Sequence, residues 1–174
     1  MKVAPLYIFL AVLLSCQYSS DTEKYITTGT YITDEISVAF PDSLFETRMI
    51  SDSLTIYASM NDSIEYHAAV AKSKNTFHTV SNEEIEGIDA NLFMYIQTQK
   101  GENIKTSEIE IDGQPATRFD YESDYVLLRD KSVHKGILLY YKNYMVVIEF
   151  VNRNDLEEIV SRRKAVFLGS LRIN

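Results

Sequence analysis

The tightest constraint on this chain lies between residues 136 and 151. Gly136-Ile137-Leu138-Leu139-Tyr140-Tyr141 and Tyr144-Met145-Val146-Val147-Ile148-Glu149-Phe150-Val151 flank Lys142-Asn143 and read as one hairpin. Side chains alternate across a strand, so Ile137, Leu139 and Tyr141 take one face while Leu138 and Tyr140 take the other. A strand apolar on both faces needs cover on both, which puts this hairpin centrally in a sheet with further layers above and below. Glu149 is the odd residue of the run. A carboxylate there needs a partner, or it marks the edge of the buried face.

The remaining elements supply those layers. Ile36 to Phe40 is a short β-rich run stopped by Pro41-Asp42. Leu54 to Ala58 and Ile64 to Ala71 predict a hairpin turning through Ser59-Met60-Asn61-Asp62-Ser63. Ser81-Asn82-Glu83-Glu84 is a capping box, predicting a helix to about Lys100 with Ile85, Ile88, Leu92, Tyr95 and Ile96 on its apolar stripe and Gly101 as C-cap. Ile104 to Ile111 and Pro115 to Glu122 predict a further hairpin. A three-residue loop Asp112-Gly113-Gln114 keeps Ile109, Ile111, Phe119 and Tyr121 on one face, with Ile109 opposite Thr117, Ile111 opposite Pro115 and Glu108 across from Arg118. Asn154-Asp155-Leu156-Glu157 opens a last helix through about Phe167, stopped by Gly169, and Leu171-Arg172-Ile173 adds a brief terminal strand. Three hairpins, about six sheet strands and two amphipathic helices make an α+β layered sandwich on an antiparallel sheet.

The start of the chain differs in kind. Lys2 precedes an apolar run, Val3 to Leu14, broken only by Pro5 and Tyr7; this is an export signal, too short for a permanent membrane span. It closes in Leu13-Leu14-Ser15-Cys16, which resembles the lipobox of bacterial lipoproteins. The resemblance implies cleavage after Ser15 and lipid on Cys16. Cys16 is also the single cysteine, so lipidation removes what would otherwise be an unpaired thiol in an oxidising compartment. The chain then divides into a leader over 1–15, a lipidated polar tether over 16–30 and one domain over 31–174.

Cleavage leaves 159 residues, 174 less the 15 of the leader, enough for one domain with a sizeable core and no disulfide. Sixteen cations, the seventeen of the whole chain less Lys2, then face 25 carboxylates for a formal charge of −9. That balance excludes a nucleic-acid partner, and attachment to a membrane must come from the acyl chains.

A second resemblance concerns the domain. The opening Ile36-Ser37-Val38-Ala39-Phe40-Pro41, a capped middle helix, a hairpin at Asp112-Gly113-Gln114-Pro115, a tyrosine-rich long hairpin and a closing helix resemble the PsbP/Mog/DcrB group of small α/β/α sandwiches, over about Ile36 to Ile173. The resemblance implies a non-catalytic protein, since the group's members are mostly accessory subunits, GTPase-binding partners or chaperones. It carries no site residue over to this chain.

Catalytic and metal motifs are missing from the sequence. His67, His78 and His134 are too scattered for a zinc motif, no Gly-x-Ser-x-Gly elbow occurs and six glycines form no phosphate loop. A hydrolase on His67 or His134 requires a carboxylate within hydrogen-bond reach inside a cleft. Asp120, Glu122 and Asp124 alternate along one strand, too spread for a calcium loop, and read as a solvated face. Arg162-Arg163-Lys164 reads as a solvated face of the last helix. Tyr125, Tyr140 and Tyr144 are the candidate binding surface, since polar-tipped aromatics suit both interfaces and sugar platforms.

The sequence therefore predicts a non-enzymatic lipoprotein without metal or cofactor. It is expected at the outer membrane facing the periplasm, with surface display as the alternative orientation. Its expected partner is an envelope protein; the alternative is a small-ligand or glycan binder using the tyrosine-rich hairpin.

Overall fold

The computed structural model describes residues 30–40, 46–51, 53–61, 64–73, 88–123, 132–152 and 158–174. The leader, Cys16, nearly all of the tether, His78, the Ser81–Glu84 box, Asp124, Tyr125 and the Asn154–Glu157 cap lie outside them. The described elements are β1 (Thr30–Tyr31), β2 (Ile36–Val38), β3 (Glu46–Ser51), β4 (Leu54–Asn61), β5 (Ile64–Lys72), α1 (Ala90–Thr98), β6 (Gly101–Ile111), β7 (Gln114–Ser123), β8 (Ser132–Tyr141), β9 (Tyr144–Asn152), α2 (Glu158–Leu168) and β10 (Arg172–Ile173).

Seven strands form one antiparallel sheet in the order β3-β4-β5-β9-β8-β7-β6. The two strands apolar on both faces, β8 and β9, occupy its interior, as their composition requires. One face carries Ile64, Tyr66, Ala68, Ile137, Leu139, Val146, Ile148 and Phe150 under α2 (through Phe167 and Leu168) and a small sheet ordered β1-β2-β10. The other carries Ala69, Phe119, Tyr121, Leu138, Met145 and Val147 under Leu92, Tyr95 and Ile96 of α1. The chain is an α+β sandwich covered on both sides of its sheet. Among the described residues no helix is long and apolar enough to cross a membrane.

The three expected hairpins are present, and β3 adds a seventh strand at the edge beside β4. Three expectations need correction. The β6–β7 turn is two residues, not three: Ile111 pairs with Gln114, Ile109 with Ala116, Glu108 with Thr117, and Arg118 faces Ser107. Asp112 (φ 47°) and Gly113 (φ 81°) supply the positive dihedrals of a tight hairpin turn. Ile109 and Ile111 thereby face the α2 side while Phe119 and Tyr121 face the α1 side. A sheet buried on both sides has no need to keep all four together.

The middle helix is also shorter than its apolar stripe implies. Asp89 caps it, accepting from the Asn91 and Leu92 amides at 2.9 and 3.0 Å, and Ile88 lies in a bridge ahead of it. Tyr140 on β8 donates to the same Asp89 oxygen at 2.9 Å and accepts from Asn91 Nδ2 at 2.8 Å, which pins the helix start to the sheet. At the far end the left-handed residue is Lys100 (φ 54°), not Gly101. Gly101 opens β6, and a Cβ there would collide with Ile96 and Tyr121.

Gly136 plays the same part in the middle of β8, where the Phe119 ring lies across it and the Ile148 carbonyl sits close behind. Gly136→Ala should therefore overpack the site and lower stability by about 1–3 kcal/mol. In urea unfolding the midpoint should fall with an unchanged slope, whereas an unchanged midpoint would show that the space is larger than this packing allows.

Candidate functional site

Glu149 lies on the α1 face of β9, the interior of the sheet, and only 2% of it is exposed. Strand register assembles its surroundings. His67 on β5 pairs directly with Glu149, Gly136 on β8 faces it from the other side, and His134 sits diagonally beyond Gly136. Tyr121 comes from β7, where it pairs with His134. Tyr95 reaches down from α1.

The carboxylate is closely held. Tyr121 Oη donates to Oε1 and Tyr95 Oη to Oε2, both at 2.7 Å. His134 Nδ1 lies 3.3 Å from Oε1, and His67 Nδ1 lies 4.0 Å from Oε2. The His134 ring stacks on Tyr121 with centroids 4.3 Å apart. The network runs outward at both ends. His67 Nε2 reaches Glu65 Oε2 at 3.1 Å near the surface, and His134 Nε2 reaches Ser132 Oγ at 2.8 Å. Ser132 Oγ is also 3.2 Å from the Ser123 carbonyl, and Ser123 Oγ donates to the Gln99 carbonyl at the end of α1.

Electrostatics follow from this geometry. Burial pushes the Glu149 carboxyl up, but the neighbouring His134 charge and hydrogen bond, the His67 charge and the Tyr95 hydroxyl together outweigh it, and the group stays ionised below its ordinary 4.5. Burial, then the Glu149 charge, pushes the Tyr95 and Tyr121 phenols well above 10, so both remain donors. The cluster is a closed set in which each hydroxyl, ring nitrogen and carboxylate oxygen named here meets a polar atom of the chain.

Ser132, His134 and Glu149 match the order of contacts in a hydrolase triad, with nucleophile to base and base to carboxylate in hydrogen-bond contact. The carboxylate half of the requirement for a histidine base is met. Access is another matter: Ser132 and Glu149 are each 2% exposed and His134 5%.

The other candidate residues are scattered. Tyr140 belongs to the α1 face and anchors Asp89 and Asn91, while Tyr144 packs on the α2 face with Lys72 5.4 Å from its ring centroid. The structure does not bring these two tyrosines together. Asp120 and Glu122 are half-buried, Glu122 Oε2 accepts from Asn103 Nδ2 at 3.0 Å, and no group of three metal-binding side chains occurs among the described residues. Sequence reasoning singled out Glu149 but missed its partners. The one signal within reach was the Lys142-Asn143 turn, which sets Gly136 opposite Glu149 and so puts His134 on the diagonal.

No protein-family model matches the chain, and no curated protein matches its sequence. Among solved structures it is similar to a cyanobacterial PsbP (CyanoP) from Synechocystis sp. PCC 6803, with a TM-score of 0.51 and 11% identity, over 90% of this chain and 98% of that one. It is also similar to a protein from Bacteroides thetaiotaomicron VPI-5482, with a TM-score of 0.50 and 7% identity, over 85% of this chain and 48% of that one. This chain thus spans about half the length of the Bacteroides protein. At such identities the likeness shows the fold alone, and that fold is the PsbP-like sandwich.

Glu149→Gln should lower stability by about 1–3 kcal/mol, because one carboxylate oxygen becomes an amide NH2 and a buried tyrosine donor loses its acceptor. Tyr95→Phe and Tyr121→Phe should each remove about 1.5–3 kcal/mol, the range for hydrogen bonds to a charged group. The pH dependence has a definite sign. Glu149 has a lowered folded pKa, so its stabilisation is present above the ordinary value of 4.5 and disappears as pH falls through the folded value. Chemical unfolding across this range should show the parent losing stability below about pH 4.5 more steeply than Glu149→Gln. Parallel curves would refute this assignment.

Proposed function

We propose that this chain is an envelope lipoprotein, held at the outer membrane by lipid on Cys16, whose PsbP-like domain works by binding another protein rather than by catalysis. The carrying observation is the Leu13-Leu14-Ser15-Cys16 motif at the end of a short apolar leader, with Cys16 the one cysteine of the chain. Periplasmic orientation is the reading adopted, and display at the cell surface the alternative.

The closed geometry around Glu149 supports the non-catalytic part. A nucleophilic serine must meet a substrate carbonyl and a base that takes its proton. Here Ser132 lies under α1 with its oxygen already between His134 and the Ser123 carbonyl. Such a set serves to fix α1 against four strands. The tyrosine-platform alternative draws no support from Tyr140 and Tyr144, which face opposite sides of the sheet.

Labelling cells with radioactive palmitate should mark the parent chain, and Cys16→Ser should lose both the label and membrane fractionation. An unlabelled parent would remove the anchor from the proposal. In-cell crosslinking of the lipidated chain should capture one abundant envelope protein, lost with Cys16→Ser, and failure to capture any would remove the adaptor role. A fluorophosphonate probe should leave Ser132 unmodified. Modification at Ser132 would overturn the non-catalytic reading.

A further inference from the structure

The face of the sheet opposite Glu149 carries a different arrangement of charge. On β7, Arg118, Asp120 and Glu122 share the α2 side with Ala116, and on β8 Lys135 shares it with Ile137 and Leu139. Asp120 pairs with Lys135 across the strands and Arg118 pairs with Ile137, which sets Arg118 and Lys135 on a diagonal, about 7–8 Å apart. Lys105 on β6 faces Asp120 from the other side, at the rim. Above them, Lys164 lies three and four residues before Phe167 and Leu168, the buried residues of α2. That spacing puts Lys164 on the sheet-facing stripe of the helix, where it is half-buried.

Three elements thus bring cations together, and no ion pair holds them among the described residues. Among the described residues no carboxylate makes an ion pair with Lys105, Arg118, Lys135 or Lys164, although Asp120 is close enough to act on Lys164. Partial burial, then the charges of Lys135 and Arg118, pull the Lys164 ammonium below its ordinary value, and Asp120 only partly opposes them. In a chain with 25 carboxylates and 17 cations, this face sets four cations against Asp120 and Glu122. A surface cluster of one sign attracts ligands of the other sign.

We propose that Arg118, Lys135 and Lys164 form a binding site for a phosphate monoester, with Lys105 at its rim. Charge selects the class. Arg118, Lys135, Lys164 and Lys105 less Asp120 and Glu122 leave +2, matched by a phosphate monoester of about −1.5 to −2 at pH 7. Arg118 contributes a planar fork suited to two phosphate oxygens, and the two lysines contribute point charges. Asp120 can accept a hydrogen bond from a singly protonated phosphate. The site is independent of the lipid anchor and of the protein-binding role proposed above. The ester can be soluble or carried on a lipid headgroup.

The test uses the whole purified chain, with inorganic phosphate as probe and chloride at equal ionic strength as control. Phosphate also stabilises proteins non-specifically by exclusion from their surface, so the diagnostic quantity is the difference between parent and variants. Phosphate should raise the parent's thermal midpoint and shift amide resonances of β7, β8 and α2 in a saturable way. Arg118→Gln and Lys164→Gln should each weaken that binding at least about tenfold, comparable to losing one charged hydrogen bond. Without phosphate, Lys164→Gln should melt at or above the parent temperature, since it relieves repulsion. A lower midpoint for ligand-free Lys164→Gln would show a structural lysine and overturn the site, as would variants that respond to phosphate like the parent. Glycerol phosphate and vesicles containing phosphatidic acid then separate the sources. Tighter binding to one supports the site and names the source, and binding to neither overturns it.

Discussion

Everything in this molecule hangs on the burial of strands β8 and β9 from both sides. Ile137 and Leu139 point to one layer and Leu138 to the other, while β9 alternates Val146, Ile148 and Phe150 with Met145, Val147 and Val151. Fully burying one such side chain contributes about 1.5–3 kcal/mol. A single layer would leave half of them in water. The need for two layers explains α1 on one face and α2 with the small β1-β2-β10 sheet on the other. The terminal strand β10 is fixed by the same demand, pairing with β2 over the core while the Ile173 amide donates to Asp112 in the β6–β7 turn.

Glu149 sits inside this constraint, and that determines what surrounds it. A carboxylate buried without a partner is penalised by several kcal/mol, more than neighbouring apolar contacts can offset. The solution uses residues from five elements: His67 on β5, Tyr95 on α1, Tyr121 on β7, His134 on β8 and Glu149 itself on β9. Hydroxyl donors are well chosen, since a phenol pushed upward by burial keeps its proton wherever the carboxylate is charged. Net stabilisation from such a set is small compared with replacing it by apolar groups of the same shape. Its gain is positional. Tyr95 can satisfy Glu149 from only one rotation and one height of α1, whereas Leu92 and Ile96 alone would accept several.

How much of this was legible in the sequence depends on the range of the interaction. The central hairpin, the two-sided sheet and the oddness of Glu149 follow from alternation within sixteen residues. The Lys142-Asn143 turn fixes Gly136 opposite Glu149, which brings His134 within reach. Tyr95, Tyr121 and His67 need the phase of a helix and the order of strands separated by tens of residues, and no local pattern carries either. The β6–β7 turn shows a different failure. Ile109, Ile111, Phe119 and Tyr121 look like one apolar face, and that expectation lengthens the Asp112-Gly113 turn by one residue. The two-sided burial that governs β8 extends to its neighbour β7, so the four residues divide between faces and the tight turn stands.

The same two strands carry opposite solutions to the problem of charge. On the α1 side of β7 and β8, Tyr121 and His134 stack and share the Glu149 carboxylate. One residue along each strand, Asp120 and Lys135 point to the other side, where Arg118 and Lys164 join them without an ion-paired carboxylate among the described residues. If the two sets arose from sheet packing alone, both would be balanced, because an unbalanced set destabilises whichever face bears it. The Glu149 side is balanced by residues that are buried or half-buried, which is the mark of a set serving the fold. Among the described residues, the Arg118 side carries more cations than carboxylates. The contrast, among the described residues, between the paired groups around Glu149 and the cations left apart points to the α2 face as the one adapted to something outside the chain.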